Sequence, residues 1–265
     1  YQFQRFLLEY QYAFQNNNRE EYDQHVDEAR PDIKMSLWTN QNDIRVVYAP
    51  SSKFNLKYGG FLNNQSNQSF ARPLIPNYLS WEVGQYALAV YRLDRWTLEA
   101  GPRMGVRMLD NFINRNGEVY YQRKTNSYLN IILGTLYRQE AWWWRQSFGL
   151  VNRLPHPSEW YSFGVHHGSA QFEIGNPFLE PEKLISYRNE IDVVKGNMHF
   201  KGEAFFNHFP SYIAQVAGDE PLLTIQGAFP VVEYQSVRLN MFGFNGLFDY
   251  QWTSHISQTV ALNYL

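Results

Sequence analysis

Cysteine is absent from this sequence of 265 residues, and neither sign of charge is in marked excess. Without cysteine, the chain can form no disulfide, no thiolate metal site and no cysteine nucleophile. The 23 Lys and Arg residues nearly balance the 25 Asp and Glu residues, so the formal net charge is -2. Such a balance leaves no basic excess of the kind that binds nucleic acid, and we predict no nucleic-acid partner.

Long hydrophobic runs and enzyme motifs are also missing. No stretch approaches the roughly 18 consecutive apolar residues of a membrane helix. The sequence has no Gly-rich phosphate loop, no His-Glu-x-x-His pair and no Gly-x-Ser-x-Gly elbow. We therefore predict that the protein is not an enzyme and has no resident cofactor. The chain opens at Tyr1 without a basic n-region, so we expect no signal peptide in it.

Aromatic residues are abundant instead. They make up 17% of the chain, as 19 Tyr, 19 Phe and 8 Trp, yet the mean hydropathy is only -0.48. A transmembrane β-barrel combines these properties, because its strands alternate apolar residues facing lipid with polar residues facing the lumen. The composition therefore favours an all-β membrane protein.

Apolar residues recur with a period of two, as expected for strands. Residues 96–108 and 184–194 show this most clearly, with apolar side chains on one parity and charged side chains on the other. We expect the charged residues of these two strands to face a lumen: Glu99, Arg103, Arg107, Arg188 and Glu190. About eleven such segments are predicted, at 1–15, 31–48, 53–63, 81–92, 96–108, 125–138, 142–153, 184–194, 198–206, 231–252 and 256–265.

The connections between these segments alternate in length. Short turns are predicted at 49–52, 92–95, 138–141, 195–197 and 253–255. Long polar connections are predicted between them, at about 16–30, 64–80, 109–125, 154–183 and 213–230. Up-and-down outer-membrane barrels show this rhythm, whereas a soluble lipocalin-like barrel needs only about eight shorter strands.

Two irregularities interrupt the pattern. Residues 33–37 and 44–48 hold apolar side chains of opposite parity, so we expect a bulge or break near Asn40–Asp43. Pro102 lies inside a strand and removes one ladder donor, so it requires a bulge or a gap in the pairing.

Eleven is an odd number of strands, whereas bacterial single-chain barrels have even numbers, and a sheet in lipid must close. The chain also begins inside one expected strand and stops at Leu265 inside another. We predict that residues 1–265 form one partial barrel domain. It would be about half of a 22-stranded antiparallel up-and-down transmembrane barrel with long extracellular loops.

Two segments and one strand resemble TonB-dependent outer-membrane receptors. Residues 153–159 (Arg-Leu-Pro-His-Pro-Ser-Glu) are similar to the family's Arg-Ala-Pro…Glu-Leu segment. Residues 173–182 (Glu-Ile-Gly-Asn-Pro-Phe-Leu-Glu-Pro-Glu) are similar to its Gly-Asn-Pro-x-Leu-x-Pro-Glu segment. Residues 98–103 (Leu-Glu-Ala-Gly-Pro-Arg) are similar to its Leu-x-x-Gly-x-Arg strand.

The resemblance implies a location in the bacterial outer membrane and TonB-dependent uptake of a scarce solute. We rank a metal or metal chelate first, such as siderophore-iron, haem or zinc. The implied partners are membrane lipid, the solute itself, and a TonB complex that acts through a plug domain outside this chain.

Candidate ligand-binding residues lie in the longest connection. His166 and His167 are adjacent there, with His156 upstream and Glu173 downstream. Imidazole and carboxylate groups on an outside loop could take zinc, copper, haem iron or a metal chelate, and His166 and His167 are the candidate metal ligands. The alternative is an ordinary polar contact, because adjacent residues of an extended chain do not share a face.

Three tryptophans begin a strand just after a short turn. We expect Trp142 and Trp144 to join an interfacial girdle and Trp143 to point inward.

Other functions stay open at this point. The first alternative is a passive porin or a structural barrel, which would have no plug. The second is a barrel enzyme, which would have a catalytic acid-base set near the loops. The third is a soluble β-sandwich binding protein, which would stay monodisperse in buffer without detergent.

Overall fold

The computed structural model describes residues 2–3, 5–22, 31–70, 74–115, 118–166, 168–224 and 227–265. Within these ranges the chain forms sixteen strands and one short helix. They are β1 (Gln2–Phe3), β2 (Phe6–Glu21), β3 (Ile33–Ser51), β4 (Phe54–Ser69), β5 (Asn77–Leu93), β6 (Trp96–Arg115), β7 (Glu118–Arg138), β8 (Trp142–Arg153), α1 (Pro157–Tyr161), β9 (Phe163–His166), β10 (Gln171–Ile174), β11 (Glu182–Lys195), β12 (Met198–Ala217), β13 (Leu222–Thr224), β14 (Gly227–Phe229), β15 (Val231–Gln251) and β16 (Ser257–Tyr264). No helix in this described part is long and apolar enough to cross a bilayer.

Fourteen of these strands form one sheet. Its order is β1-β2-β3-β4-β5-β6-β7-β8-β11-β12-β15-β10-β9, and β16 also pairs with β15. The pairing is antiparallel throughout, apart from the parallel pair β10–β15. Eleven strands are eight residues or longer, and each overlaps one predicted segment, although several run further than predicted: β2 to β8, β11, β12, β15 and β16. The predicted all-β, antiparallel, up-and-down architecture is confirmed.

The strand register places one apolar row across ten neighbouring strands. The residues at successive opposite positions are Phe6, Tyr48, Leu56, Ala89, Ala100, Leu133, Phe148, Tyr187, Phe206 and Phe242. Opposite residues share a face of a sheet, and the adjacent residue of each strand lies on the other face. We call the face with this row the outer face and the other the inner face.

Aromatic pairs bracket the outer face. The Phe6 and Tyr48 rings stack 4.6 Å apart at the short-turn end of β2 and β3, and the Phe14 and Trp38 rings lie 5.5 Å apart further along. Tyr48 and Trp38 are separated by about 33 Å of strand, or about 25 Å of barrel height at the usual tilt of roughly 40°. This spacing matches the apolar band of an outer-membrane barrel.

The tryptophans after the turn between β7 and β8 divide between the faces. The Trp142 ring lies 5.3 Å from the Tyr137 ring, on the outer face beside the short turn that joins β7 to β8. Trp144 donates from Nε1 to the side-chain oxygen of Asn189 at 2.9 Å. Trp143 lines a hollow together with Glu190 and other charged residues of the inner face. This arrangement is the one predicted for Trp142 and Trp143.

The sheet curves strongly. Laid flat, β2 and β15 would be about 43 Å apart, because nine strand steps separate them at about 4.8 Å each. Yet one short hairpin, β9–β10, pairs with β15 and also contacts Arg19 of β2 through His166. The wall must therefore curve enough to bring the long-connection ends of β2 and β15 within reach of this one hairpin. Within the described residues, no backbone pairing joins β2 to β16.

The predicted break near Asn40–Asp43 is wrong. Strand β3 pairs with β2 and β4 through this stretch without a register shift. The parity of the apolar residues changes because one end of this regular strand has its apolar side chains on the outer face, whereas the other end has them buried on the inner face. Ile44 and Val46 lie on the outer face, whereas Ile33 and Met35 are buried on the inner face against Leu74.

Two other predictions concern strand continuity. The pairing of β5 with β6 skips two positions around Pro102 but keeps its register on either side, so the predicted gap is confirmed. The predicted long connection at 109–125 is wrong, because β6 runs to Arg115 and β7 starts at Glu118. Both strands continue beyond the bracketed apolar band as a projecting hairpin.

Candidate functional site

Residues 154–181, which we call the strap, cross the inner face at the long-connection end of the sheet. The strap contains α1, β9 and β10. Its helix begins with a capping box, in which Nδ1 of His156 accepts from Ser158 N, and the Glu159 carboxylate accepts from His156 N at 2.7 Å. Pro157 occupies the first turn, where its missing N–H costs nothing. The Arg-Leu-Pro-His-Pro-Ser-Glu motif therefore encodes this local turn.

Trp160 anchors the base of the strap. Its side chain is 1% exposed and packs with Leu179 of the strap and with wall residues Tyr78, Leu109 and Ile213. Nε1 of Trp160 donates to the carbonyl oxygen of Leu179 at 2.9 Å. The two ends of the strap are thus held together on the wall by one buried ring.

Two wall cations enclose that ring. The Arg107 guanidinium lies 5.3 Å and the Lys124 ammonium 4.8 Å from the centre of the Trp160 ring. Arg107 also donates to the carbonyl oxygen of Pro155, and Lys124 donates to that of Pro177. Cation–π contacts gain strength where water is excluded, so these residues fasten the base of the strap at both ends.

The far end of the strap contacts β2 through His166. Nδ1 of His166 lies 2.6 Å from a carboxylate oxygen of Glu173, and Nε2 lies 2.7 Å from a guanidinium nitrogen of Arg19. A guanidinium only donates, so Nε2 accepts and Nδ1 donates to Glu173. Arg19 also pairs with Glu21, whose other oxygen accepts from Gly168 N at 3.4 Å. We call Arg19, His166 and Glu173 the latch.

The four candidate ligand-binding residues do not all meet. His166 and Glu173 are brought together, whereas His156 serves as the cap of α1. His167 lies outside the described residues. In the part of the chain that the structure describes, no group of three or more His, Cys, Asp or Glu side chains could hold a metal ion. Metal binding by His166 and His167 stays a prediction.

Several buried polar atoms in and around the base of the strap lack partners. Asn111 is 0% exposed, and neither its side-chain nitrogen nor its oxygen has a hydrogen-bond partner among the described residues. The same holds for the hydroxyl groups of Tyr161 and Ser162, and burial raises the pKa of Tyr161 to about 12. Buried polar groups without partners are uncommon in native proteins, and each one disfavours the buried state.

The residues predicted to line a lumen share the face that carries the strap. Arg107 contacts the strap directly, and the Arg103 guanidinium lies 4.1 Å from the centre of the Phe61 ring. Further pairs are Glu99 with Arg145 at 3.1 Å and Arg188 with Glu203 at 3.4 Å. Glu190 lines a hollow of about 310 Å³ that also includes Trp143, Asp192 and Lys201.

Sequence reasoning missed Lys124 and the contribution of β2. Lys124 lies in the stretch 109–125, which was predicted to be a loop. The sequence therefore showed no strand alternation that could place Lys124 on the inner face beside the strap. Arg19 and Glu21 belong to the long polar connection predicted at about 16–30, yet both lie in β2. Residues 23–30 of that connection lie outside the described residues. The only sequence signal for their position was that Arg19 and Glu21 are two residues apart, so both would lie on the same face of a strand.

No protein-family model matches the sequence, and no curated protein matches it in sequence. Solved structures do match its fold. The FrpB iron transporter from Neisseria meningitidis has a TM-score of 0.67 at 14% identity, over 97% of this chain and 41% of that chain. The copper transporter OprC has a TM-score of 0.67 at 11% identity, over 98% and 43%. The siderophore receptor PirA from Pseudomonas aeruginosa has a TM-score of 0.59 at 9% identity, over 99% and 54%.

These matches define a class of fold: the chain forms a wall of long antiparallel strands like that of the matched transporters and receptor. The matching structures are TonB-dependent receptors, so the resemblance seen in the sequence motifs is confirmed at the level of the fold. The chain spans about half or less of the length of the solved chains, from 36% to 54%.

Proposed function

We propose that these residues form part of the barrel wall of a TonB-dependent receptor in a bacterial outer membrane. The observation that carries the proposal is the register. One regular sheet presents an apolar row bracketed by aromatic pairs on its outer face, and charged residues together with the strap on its inner face. That division suits a wall between lipid and an aqueous lumen.

The remainder of the barrel, a plug and the TonB complex complete the proposal as partners outside these residues. Residues 1–265 then make up about half of a 22-stranded barrel as one partial domain. Its long connections face the medium and its short turns face the periplasm. The chain contributes binding and a conduit, without covalent chemistry.

The solute is proposed to be a metal or a metal chelate. Proteins of this fold include an iron transporter, a copper transporter and a siderophore receptor. The strap offers His166 and Glu173 at the mouth, and His156 and His167 in the same segment, as candidate contacts.

The test uses the full-length receptor in cells with and without a functional TonB. Ferric chloride, copper(II), haem and a ferric catecholate chelate serve as probes, and binding and cell uptake are measured for each. We expect one probe to bind the receptor and to enter only when TonB is functional. Entry of all probes without TonB would instead indicate a passive porin.

Four variants test the site separately: His156→Ala, His166→Ala, His167→Ala and Glu173→Gln. If any of these residues contacts the solute, its substitution weakens binding of the active probe. Affinity equal to that of the original receptor in a variant removes that residue from the site.

A further inference from the structure

We propose that Lys183 and Arg238 form a binding site for a phosphorylated lipid headgroup of the outer leaflet, on the outer face of the wall just beyond the apolar band. We call these two residues the cation pair. The inference rests on the proposed function, because it takes the outer face as the lipid face and the long-connection end as the end towards the medium. It assigns one lipid, the phosphate-bearing glycolipid of the outer leaflet, to one place on that wall.

The strand register places the cation pair on the outer face. Ile185, His208 and Asn240 lie directly opposite one another in β11, β12 and β15, with the same parity as the outer apolar row. Lys183 is two residues from Ile185, and Arg238 is two residues from Asn240, both towards the long connections. Residues two apart share a face of a strand, so both cations lie on the outer face.

The two cations lie close enough to share one ligand. Both are two residues beyond the same row, so they lie at the same level, two strand steps or about 10 Å apart. Long side chains from the two positions can converge on a group of phosphate size. Between them, Nδ1 of His208 donates to Oδ1 of Asn240 at 2.6 Å, so the Asn240 amide nitrogen keeps both protons for another acceptor.

The depth of the cation pair matches that of lipid headgroups. Tyr250 lies on the outer face near the short-turn end of β15. Asn240 is ten residues from Tyr250, the same separation as between Tyr48 and Trp38, whose aromatic contacts bracket the apolar band in β3. Ten residues span about 25 Å of barrel height at the usual tilt. Arg238, two residues further, therefore lies just beyond the apolar band.

The charge of the cation pair has no counterpart among the described residues. Two other cations on the outer face towards the long connections are each held by a carboxylate, Lys34 by Glu20 at 2.6 Å and Arg123 by Asp110 at 2.6 Å. Both members of the cation pair are exposed, and neither forms an ion pair with another described residue. Basic residues at headgroup depth attract anionic lipid, and a guanidinium binds phosphate through two parallel hydrogen bonds. This surface therefore suits a phosphate group.

The test compares two lipids that differ only in their phosphate groups. The full-length receptor is purified in a neutral detergent, and its binding of lipid A and of dephosphorylated lipid A is titrated by native mass spectrometry. We expect lipid A to bind more tightly. Lys183→Gln and Arg238→Gln should each weaken its binding about fivefold, and about twenty-five-fold together, because each removes one cation at the membrane surface. Equal affinity for the two lipids, or no loss in the double variant, would overturn the proposal.

Two further variants and a competitor sharpen the assignment. Lys34→Gln also removes a cation from the outer face, but one that Glu20 already neutralises, so lipid A binding should stay unchanged. Arg238→Lys should lose less affinity than Arg238→Gln, because the charge remains while the planar fork is lost. Displacement of lipid A by excess inorganic phosphate would assign the cation pair to the free anion and overturn the lipid site.

Uptake by cells separates failure of the lipid site from failure of the proposed function. If one probe enters only with functional TonB, while the double variant binds lipid A as tightly as the original receptor, the lipid site is overturned and the receptor function stands. If no probe enters in a TonB-dependent way, while the double variant still loses lipid A binding, the receptor function fails and the lipid site stands.

Discussion

The ammonium nitrogen of Lys124 lies 4.8 Å from the centre of the Trp160 ring and also donates to the carbonyl oxygen of Pro177. A wall residue of β7 thus contacts both halves of the strap, the helix before the β9–β10 hairpin and the turn after it. The hairpin extends from this base, and its residues Val165 and Phe172 are buried as well, so the strap is a folded unit with buried residues at both its base and its tip.

Trp160→Ala should destabilise the receptor strongly. Removal of a buried tryptophan typically lowers the free energy of unfolding by about 3–5 kcal/mol, through lost apolar burial and the cavity left behind. Urea unfolding of the full-length receptor in lipid vesicles measures the loss. Phe178→Ala is the control on the same strap, because Phe178 is 89% exposed and should change stability by only about 0.5 kcal/mol. Equal losses in the two variants would contradict the assigned anchor.

Gly175→Ala should displace the strap, whereas Gly149→Ala should be tolerated. A Cβ at Gly175 would lie 2.5 Å from Tyr161 N and 2.6 Å from Trp160 C, which are backbone atoms that cannot yield locally. A Cβ at Gly149 would meet side chains at 3.8 Å, an ordinary contact. We expect about 1–3 kcal/mol of lost stability at Gly175 only, measured by the same urea titration. Loss at Gly149 of the same size would show that the close approach is not the cause.

The faces of the wall were predictable from the sequence because a strand alternates strictly. In residues 96–108 the apolar side chains all have one parity, which predicts that they lie on the outer face. The strand pairing in the structure places them on that face. Residues 128–137 could not be assigned in this way, since both parities are apolar there. Only pairing with neighbouring strands places Leu133 beside Ala100 on the outer face and Ile132 beside Gly101 on the inner face.

Leu133→Arg should destabilise the barrel far more than Ile132→Arg. The two side chains are adjacent and equally exposed in this structure, at 47% and 50%, but they lie on opposite faces. An arginine on the lipid face near the bilayer midplane costs about 2–4 kcal/mol, whereas one on the lumen face remains solvated. The amounts of heat-modifiable, folded receptor in outer membranes report the difference. Similar yields for both variants would remove the assignment of the outer face to lipid.

His156→Asn should reduce the acid sensitivity of the receptor. Burial lowers the pKa of His156 below its ordinary value of 6.5. As the pH falls below that value, the unfolded chain binds this proton first, so folded-state stability declines towards the lower folded pKa. Asparagine keeps the cap acceptor and removes the titration.

The measurement compares the free energy of unfolding at about pH 7 and about pH 5, between which an ordinary histidine gains its proton. The difference between the two pH values should be smaller in His156→Asn than in the original receptor. His255→Asn, at an exposed turn position, should leave the difference unchanged. An unaltered difference in His156→Asn would rule out this histidine as a source of the acid sensitivity.

The direction of the strap was not predictable. Residues 154–183 are polar and lie between two strands, which indicates a long connection but not whether it projects outward or folds across the inner face. Trp160 and Leu179 are 19 residues apart, and their contact depends on buried wall residues from three other strands, Tyr78, Leu109 and Ile213. Similarly, the sequence indicates His166 as a candidate ligand residue, but its contact with Arg19 depends on the curvature of the whole sheet.

The latch joins Arg19 and His166, which are 147 positions apart in the chain, whereas each of the eleven long strands pairs with the long strand before or after it. Hairpins form early because closing a short loop loses little chain entropy, and contacts of long sequence separation come later. During biogenesis the wall can therefore grow one hairpin at a time while its interior stays accessible. We expect the contact between His166 and Arg19 to form late, because it needs the strands between β2 and β9 to be paired first.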